Sequence, residues 1–207
     1  MNTEQTVYIV DDDSDVADSM SMLLESTGLR TEQYHSTEEF LKIPIDRLVG
    51  CLILDVRMPD MSGLDLHQEI KRSNANLPVI FVTGHGDVPM AVQAMKNGAV
   101  EFLQKPFRDQ EFIDCVHRAL KTNSEALDEV NRRRSIQARI DSLTKREYEI
   151  MRLIAAGNIT KAVASKLSIS PRTVEIHRAR TMEKMQAKTL AQLVQMVVEA
   201  EHQEAVG

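Results

Sequence analysis

Short apolar runs alternate with amphipathic stretches through the first 121 residues. Val7–Val10, Cys51–Leu54, Val79–Val82 and Val100–Leu103 read as buried strands, and Thr31–His35 as a fainter one. Between and after them, Asp15–Thr27, Thr37–Lys42, Gly63–Arg72, Val88–Asn97 and Asp109–Lys121 carry apolar residues at helical spacing. This alternation over five units predicts an α/β fold, a five-stranded doubly wound parallel sheet covered on both faces. Gly and Pro fall where connections are needed, at Gly28, Pro59, Gly63, Pro78, Gly84, Gly86, Gly98 and Pro106. Asp87 before Val88-Pro89 is a helix start, with a capping carboxylate and a proline in the first turn.

The pattern changes after Pro106: residues 107–156 contain neither Gly nor Pro. Thr122–Asp141 is strongly polar, with Arg132, Arg133 and Arg134 in succession, yet it is rich in good helix formers. Residues 122–141 therefore read as a helical linker that continues the helix from Asp109, in all roughly 50 Å at ~1.5 Å per residue. The three arginines read as solvated helix surface. Thr144 with Glu147 three residues on is a capping-box pattern. Four helices follow, about Lys145–Ala156, Thr160–Leu167, Pro171–Met185 and Thr189–Val198, so residues 142–207 read as a small all-α domain. The second and third are joined by a short turn, with Ser170 as N-cap and Pro171 behind it. On the third helix Val174, His177, Thr181 and Met185 share one face and should pack inward. Arg172, Glu175, Ile176, Arg178 and Ala179 are left outside.

Charge separates the same two halves. Residues 1–122 hold 20 acidic and 11 basic side chains, whereas residues 143–195 hold 4 acidic and 10 basic ones. The basic half points to a nucleic-acid partner. An apolar content of 43% with 27% charged residues is that of a soluble globular protein, not a disordered one. With no Trp and 11 Met, the core must be aliphatic and Met-filled. Two cysteines, Cys51 and Cys115, are too few for a disulfide scaffold or a four-ligand zinc site and read as reduced core residues of a cytoplasmic protein. The N-terminal segment lacks the features of a signal peptide, and no run approaches the ~20 apolar residues of a membrane helix. No membrane partner is expected.

In an open parallel sheet, functional groups gather beyond the carboxyl ends of the strands. Here those ends carry Asp11-Asp12-Asp13, Asp55, Thr83 and Lys105-Pro106. Carboxylates from separate strands repel unless a cation holds them, and hard oxygen ligands with room for water suit Mg²⁺. Asp13 alone would read as a polar loop residue, and so would His85.

IVDDD, LDVRMPDMSG, VTGHGD and LQKPF at this spacing resemble the receiver domain of two-component response regulators, over about residues 5–121. The resemblance implies a flavodoxin-like fold with Asp55 as phospho-acceptor. Asp11 and Asp12 would form the acid pocket, with Asp12, Asp55 and the backbone carbonyl of Arg57 ligating Mg²⁺. Thr83 and Lys105 would bind phosphoryl oxygens, and Thr83 and Phe102 would be the switch residues.

The segment from Leu143 to Val194 resembles the DNA-binding domain of the LuxR/NarL class. Receiver plus this domain is the arrangement of FixJ-type regulators, and within them the chain is similar to regulators of styrene or toluene catabolism. Two positions depart from the family pattern: Ala162, where Glu or Gln is frequent, and Gln186, where Gly commonly follows the recognition helix. Pro171–Met185 would be that helix, entering the major groove. Glu175 would accept from cytosine, with Ile176 and Ala179 against thymine methyls. Lys161, Arg172, Arg178 and Lys188 would meet phosphates.

These features imply a phosphorylation-activated transcriptional regulator, and not an enzyme beyond promoting its own phosphoryl transfer. Its partners would be a sensor histidine kinase, promoter DNA, RNA polymerase and a second copy of the chain. The dimer face would be the helix Val88–Asn97 with the strand Val100–Leu103. The alternatives are a phosphate-independent DNA-binding module and a phosphohydrolase using Asp11 and Asp13. A compact resting arrangement, with the first half covering the recognition helix, competes with the extended one.

Overall fold

The strands form where apolar side chains can be buried on both faces of a sheet. In the computed structural model, which describes residues 5–59, 61–73, 75–84 and 86–204, β1 (Thr6–Val10), β3 (Gly50–Leu54) and β4 (Val79–Thr83) are buried at every position. With β2 (Arg30–Tyr34) and β5 (Glu101–Gln104) at the edges they make a parallel sheet of order β2-β1-β3-β4-β5. The pleat sends alternate residues to opposite faces. Val7 and Ile9 of β1 pack with Leu24 of α1 (Ser14–Ser26) and with Phe112 and Val116 of α5 (Asp109–Asp141). Tyr8 and Val10 face Phe40 of α2 (Thr37–Leu41) and Leu66 and Ile70 of α3 (Gly63–Arg72), with Ala94 of α4 (Val88–Lys96) in the same cluster. This is the expected doubly wound arrangement, with element ends within about a residue of those predicted.

Helix α5 is unbroken over 33 residues. Exposed i,i+4 pairs along it, Lys121 with Glu125 and Arg133 with Glu129, suit a polar helix without Gly or Pro. The chain divides into two units between Leu127 and Asp128, and α5 passes through the division. Asn123 lies in the polar stretch but is fully buried. Its Oδ1 accepts from the Gly50 N–H at 2.9 Å and its Nδ2 donates to the Asn76 carbonyl at 2.6 Å, pinning α5 beneath the sheet.

The second unit packs the end of α5 with α6 (Lys145–Ala155), α7 (Thr160–Leu167), α8 (Pro171–Lys184) and α9 (Leu190–Glu204). Ile150, Ile154, Val163, Val174, Met185 and Leu193 are buried together. The capping box of Thr144 and Glu147 is present, as is the Ser170 cap followed by Pro171. Arg132 is exposed but bonded to Glu199 of α9, so one of the three arginines expected to be merely solvated ties two helices together. Both cysteines are buried and free. Among the described residues no helix is long and apolar enough to cross a membrane.

Candidate functional site

The carboxyl ends of β1, β3 and β5 bring Asp11, Asp55 and Lys105 together. Lys105 Nζ lies 2.6 Å from Asp11 Oδ2 and 3.5 Å from Asp55 Oδ1, bridging the two carboxylates. Their side chains are 3% and 9% exposed, so the cluster is largely dry. The Asp13 N–H donates to Asp11 Oδ1 at 3.0 Å, and the Arg57 N–H donates to Asp55 Oδ2 at 2.6 Å. Burial pushes the Asp55 carboxyl above its ordinary range, against the pull of Lys105 and of the Arg57 N–H.

The turn after β3 is held close by Gly63: a Cβ there would stand 2.1 Å from the Asp55 carbonyl oxygen. Only glycine lets the start of α3 pass so near the end of β3. Asp12, next to Asp11 in the chain, is exposed, and Thr83 is buried at the end of β4. Phe102 is half-buried on β5, its ring 6.3 Å from that of Phe81. Asp13 faces away from this chemistry, since its Oδ1 caps α1 by accepting from the Asp15 and Val16 N–H groups. The phosphohydrolase alternative requires Asp13 as an acid and so loses it to the helix. His85 lies outside the described residues.

No three of the described His, Cys, Asp or Glu side chains already stand together as a metal site. The donor set still suits a hard divalent cation. It consists of oxygens, and Lys105 alone does not balance the charges of Asp11, Asp12 and Asp55.

On the second unit, α8 presents the expected faces. Val174, Thr181 and Met185 are buried and His177 is half-buried. Arg172, Glu175, Ile176 and Ala179 are exposed, with Ile176 48% exposed in mid-helix, while Arg178 is half-buried. Lys161 on α7 and Lys188 after α8 are exposed as well. Gln186 takes φ of +55°, the left-handed conformation that glycine usually supplies, and α8 ends one residue earlier than predicted, at Lys184.

Two basic residues that sequence reasoning did not single out hold this helix in place. Lys184 Nζ donates to Glu147 Oε2 at 2.7 Å and to the Ser142 carbonyl at 3.1 Å. Arg139, near the end of α5, donates to the Met185 carbonyl at 3.2 Å. Cations at a helix C-terminus satisfy its orphan carbonyls and oppose its dipole. The place of Lys184 in the last turn was the available signal. The Lys184 hydrogen bond and the Thr144 N–H hold the Glu147 carboxyl down to about 2.

The model of the response regulator receiver domain matches residues 7–117, and that of the luxR family of bacterial regulatory proteins matches residues 141–197. The chain is 44% identical to the transcriptional regulatory protein FixJ of Rhizobium meliloti (strain 1021), over 95% of this chain and 96% of that one. It is 40% identical to the response regulator protein TodT of Pseudomonas putida (strain F1), over 92% and 84% of the two chains. A solved structure of the response regulator StyR superposes with a TM-score of 0.87 at 37% identity, covering 95% of this chain and all of that one. These relatives are regulators, not hydrolases. Matched in both halves and along nearly its whole length, the chain belongs to the FixJ-type response regulators, in which a receiver domain controls a LuxR-family DNA-binding domain.

Proposed function

We propose that Asp55 accepts a phosphoryl group from a sensor histidine kinase and that this drives dimerisation and promoter binding. The observation that carries the reading is the Lys105 ammonium bridging two buried carboxylates at the ends of three strands. An ionised Asp55 oxygen attacks phosphorus, the bond from phosphorus to the donor imidazole nitrogen breaks, and the imidazole keeps that electron pair. Lys105 and the Thr83 hydroxyl meet the charge on the phosphoryl oxygens. The receiver family binds Mg²⁺ at its phosphorylation site. Here Asp12, Asp55 and the Arg57 carbonyl would hold the ion beside Asp11, and it would supply further charge neutralisation.

A groove of about 300 Å³ beside Lys105, lined by Val16, Met20 and Leu23 of α1 and by Pro106 and Phe107, supports docking of the kinase there. On α4, Val88, Val92 and Met95 are exposed in a stripe at helical spacing, which supports a dimer face. In the DNA complex α8 enters the major groove, with Glu175, Ile176 and Ala179 at bases and Lys161, Arg172, Arg178 and Lys188 at phosphates. We assign residues 1–121 to the receiver, 122–141 to the linker and 142–207 to the DNA-binding domain. The reading extends to a catabolic operon in the cytoplasm, with RNA polymerase as the partner at its promoter, as the resemblance to regulators of styrene or toluene catabolism implies.

Treating the full chain with a small phosphodonor and Mg²⁺ should add one phosphoryl group by intact mass and tighten promoter binding. Asp55→Asn should abolish both effects. Undiminished phosphorylation of that variant would overturn the assignment of Asp55, and full promoter activity in it would favour the phosphate-independent module.

A further inference from the structure

Gly86, in the turn between β4 and α4, sits where the two expected switch residues meet. A Cβ on Gly86 would stand 2.8 Å from Cε1 and 3.0 Å from Cζ of Phe102, and 3.3 Å from Cγ2 of Thr83. The first distance is shorter than packed carbon atoms tolerate, and the second is tight. The three atoms nearest such a Cβ all belong to side chains, so an alanine there conflicts with the packing of Phe102 and Thr83. Gly84, two residues earlier, has nothing within 4 Å of the same position. Space is therefore restricted at residue 86 and open at residue 84.

We propose that Gly86 is the positioning residue of the switch, the seat on which the Phe102 ring rests. This rests on the reading of Thr83 and Phe102 as the elements that phosphorylation moves. The ring can take its observed position because residue 86 has no side chain. Thr83 borders the same space through its methyl group, so drawing Thr83 toward a phosphoryl group alters the seat directly. A methyl group at residue 86 expels the ring and leaves it one position where the native chain has two. Phosphorylation then has no ring movement to bias, and the α4 face no longer responds to Asp55.

The test uses the full chain labelled with fluorophenylalanine, in which the Phe102 resonance among the 5 phenylalanines is assigned by Phe102→Leu. Gly86→Ala should displace that resonance and Gly84→Ala should not; an unmoved resonance in Gly86→Ala overturns the proposal. Sedimentation with and without phosphodonor and Mg²⁺ supplies the functional readout. The ratio of dimerisation constants should be about tenfold or more in the native chain and fall to about twofold or less in Gly86→Ala. In a Phe102→Ala background, Gly86→Ala should have no further effect, because no ring remains to be displaced. A native chain that switches alongside a Gly86→Ala variant that switches equally sinks the seat. A native chain that neither takes a phosphoryl group on Asp55 nor dimerises sinks the proposed function instead, and the fluorine spectrum alone then decides the seat.

Discussion

Replacing Lys105 with methionine keeps most of the side-chain volume and removes the ammonium that bridges Asp11 and Asp55. At an effective dielectric of about 20, charges 2.6 and 3.5 Å apart attract by roughly 5–6 kcal/mol each. Desolvation of the three groups offsets most of that gain, and breaking a buried charge cluster by removing one partner costs about 3–5 kcal/mol. Lys105 is 19% exposed, which places the expected loss near the lower end, at about 3 kcal/mol. For a domain of this size that lowers the melting temperature of the receiver transition by roughly 10–15 °C. The sign with pH follows from burial. Burial already raises Asp55 above its unfolded value, and without the pull of Lys105 it resists ionisation further. The penalty is absent below the unfolded value near ~4 and grows as pH rises through the folded values. Calorimetry should therefore find a deficit that is large at pH ~7 and shrinks toward pH ~4. Adding Asp55→Asn should return more than half of it. A variant within about 1 kcal/mol of the native chain at neutral pH, or a deficit that ignores pH, would refute the electrostatic account.

Five other outcomes follow from the second unit. Ile176→Ala should lose about 1–3 kcal/mol of discrimination between operators, Lys161→Ala should lower the salt slope of binding by about one, and Lys184→Met should leave that slope unchanged because its ammonium is engaged by Glu147; isotherms at several salt concentrations decide all three. Glu147, held down to about 2, contributes stability that is full above its ordinary value of 4.5 and lost as pH falls through about 2. Melts of Glu147→Gln should be flat across that window and lower by about 1–3 kcal/mol at neutral pH. Gln186→Gly relieves a left-handed backbone and should raise the melting temperature of this unit, by roughly 1 kcal/mol in stability.

The strand ends were legible because acidic and basic residues terminate apolar runs, which fixes where the chain leaves the sheet. Which carboxylate Lys105 takes was not legible, since the partners lie 94 and 50 residues away and the choice depends on strand order and twist. Asp13 read as a polar loop residue, and its place immediately before Ser14 makes it the cap of α1. Asn123 looked like linker polarity. It in fact continues the inward face of α5, at helical spacing from Phe112, Val116 and Leu120, and buries its amide on backbone groups at the start of β3 and in the loop before β4. The left-handed turn at Gln186 was signalled by the resemblance alone, which puts Gly at that place, because a glutamine carries no such sign itself.

The charge that phosphorylation adds is smaller than it first looks. The modified group carries about −1.5 to −2 charges, but Asp55 is already a carboxylate, so the site gains one half to one charge at most. Beside Lys105 at an effective dielectric of about 20 that is worth roughly 2–5 kcal/mol, and a charge-assisted bond from Thr83 adds about 1.5–3 kcal/mol. Moving an equilibrium from one part in a hundred to ninety-nine requires about 5.5 kcal/mol, so the receiver has just enough for one rearrangement and little to spare for a second. A dimer escapes this limit, because two linked DNA-binding units engage paired half-sites with an avidity neither has alone. Phosphorylation dependence of promoter binding should then vanish in Val92→Glu, whose charge falls in the exposed stripe of α4, while intact mass still shows full phosphorylation of Asp55. A Val92→Glu variant that stays monomeric yet keeps a phosphorylation-dependent affinity would place the control within one chain and defeat the dimer argument.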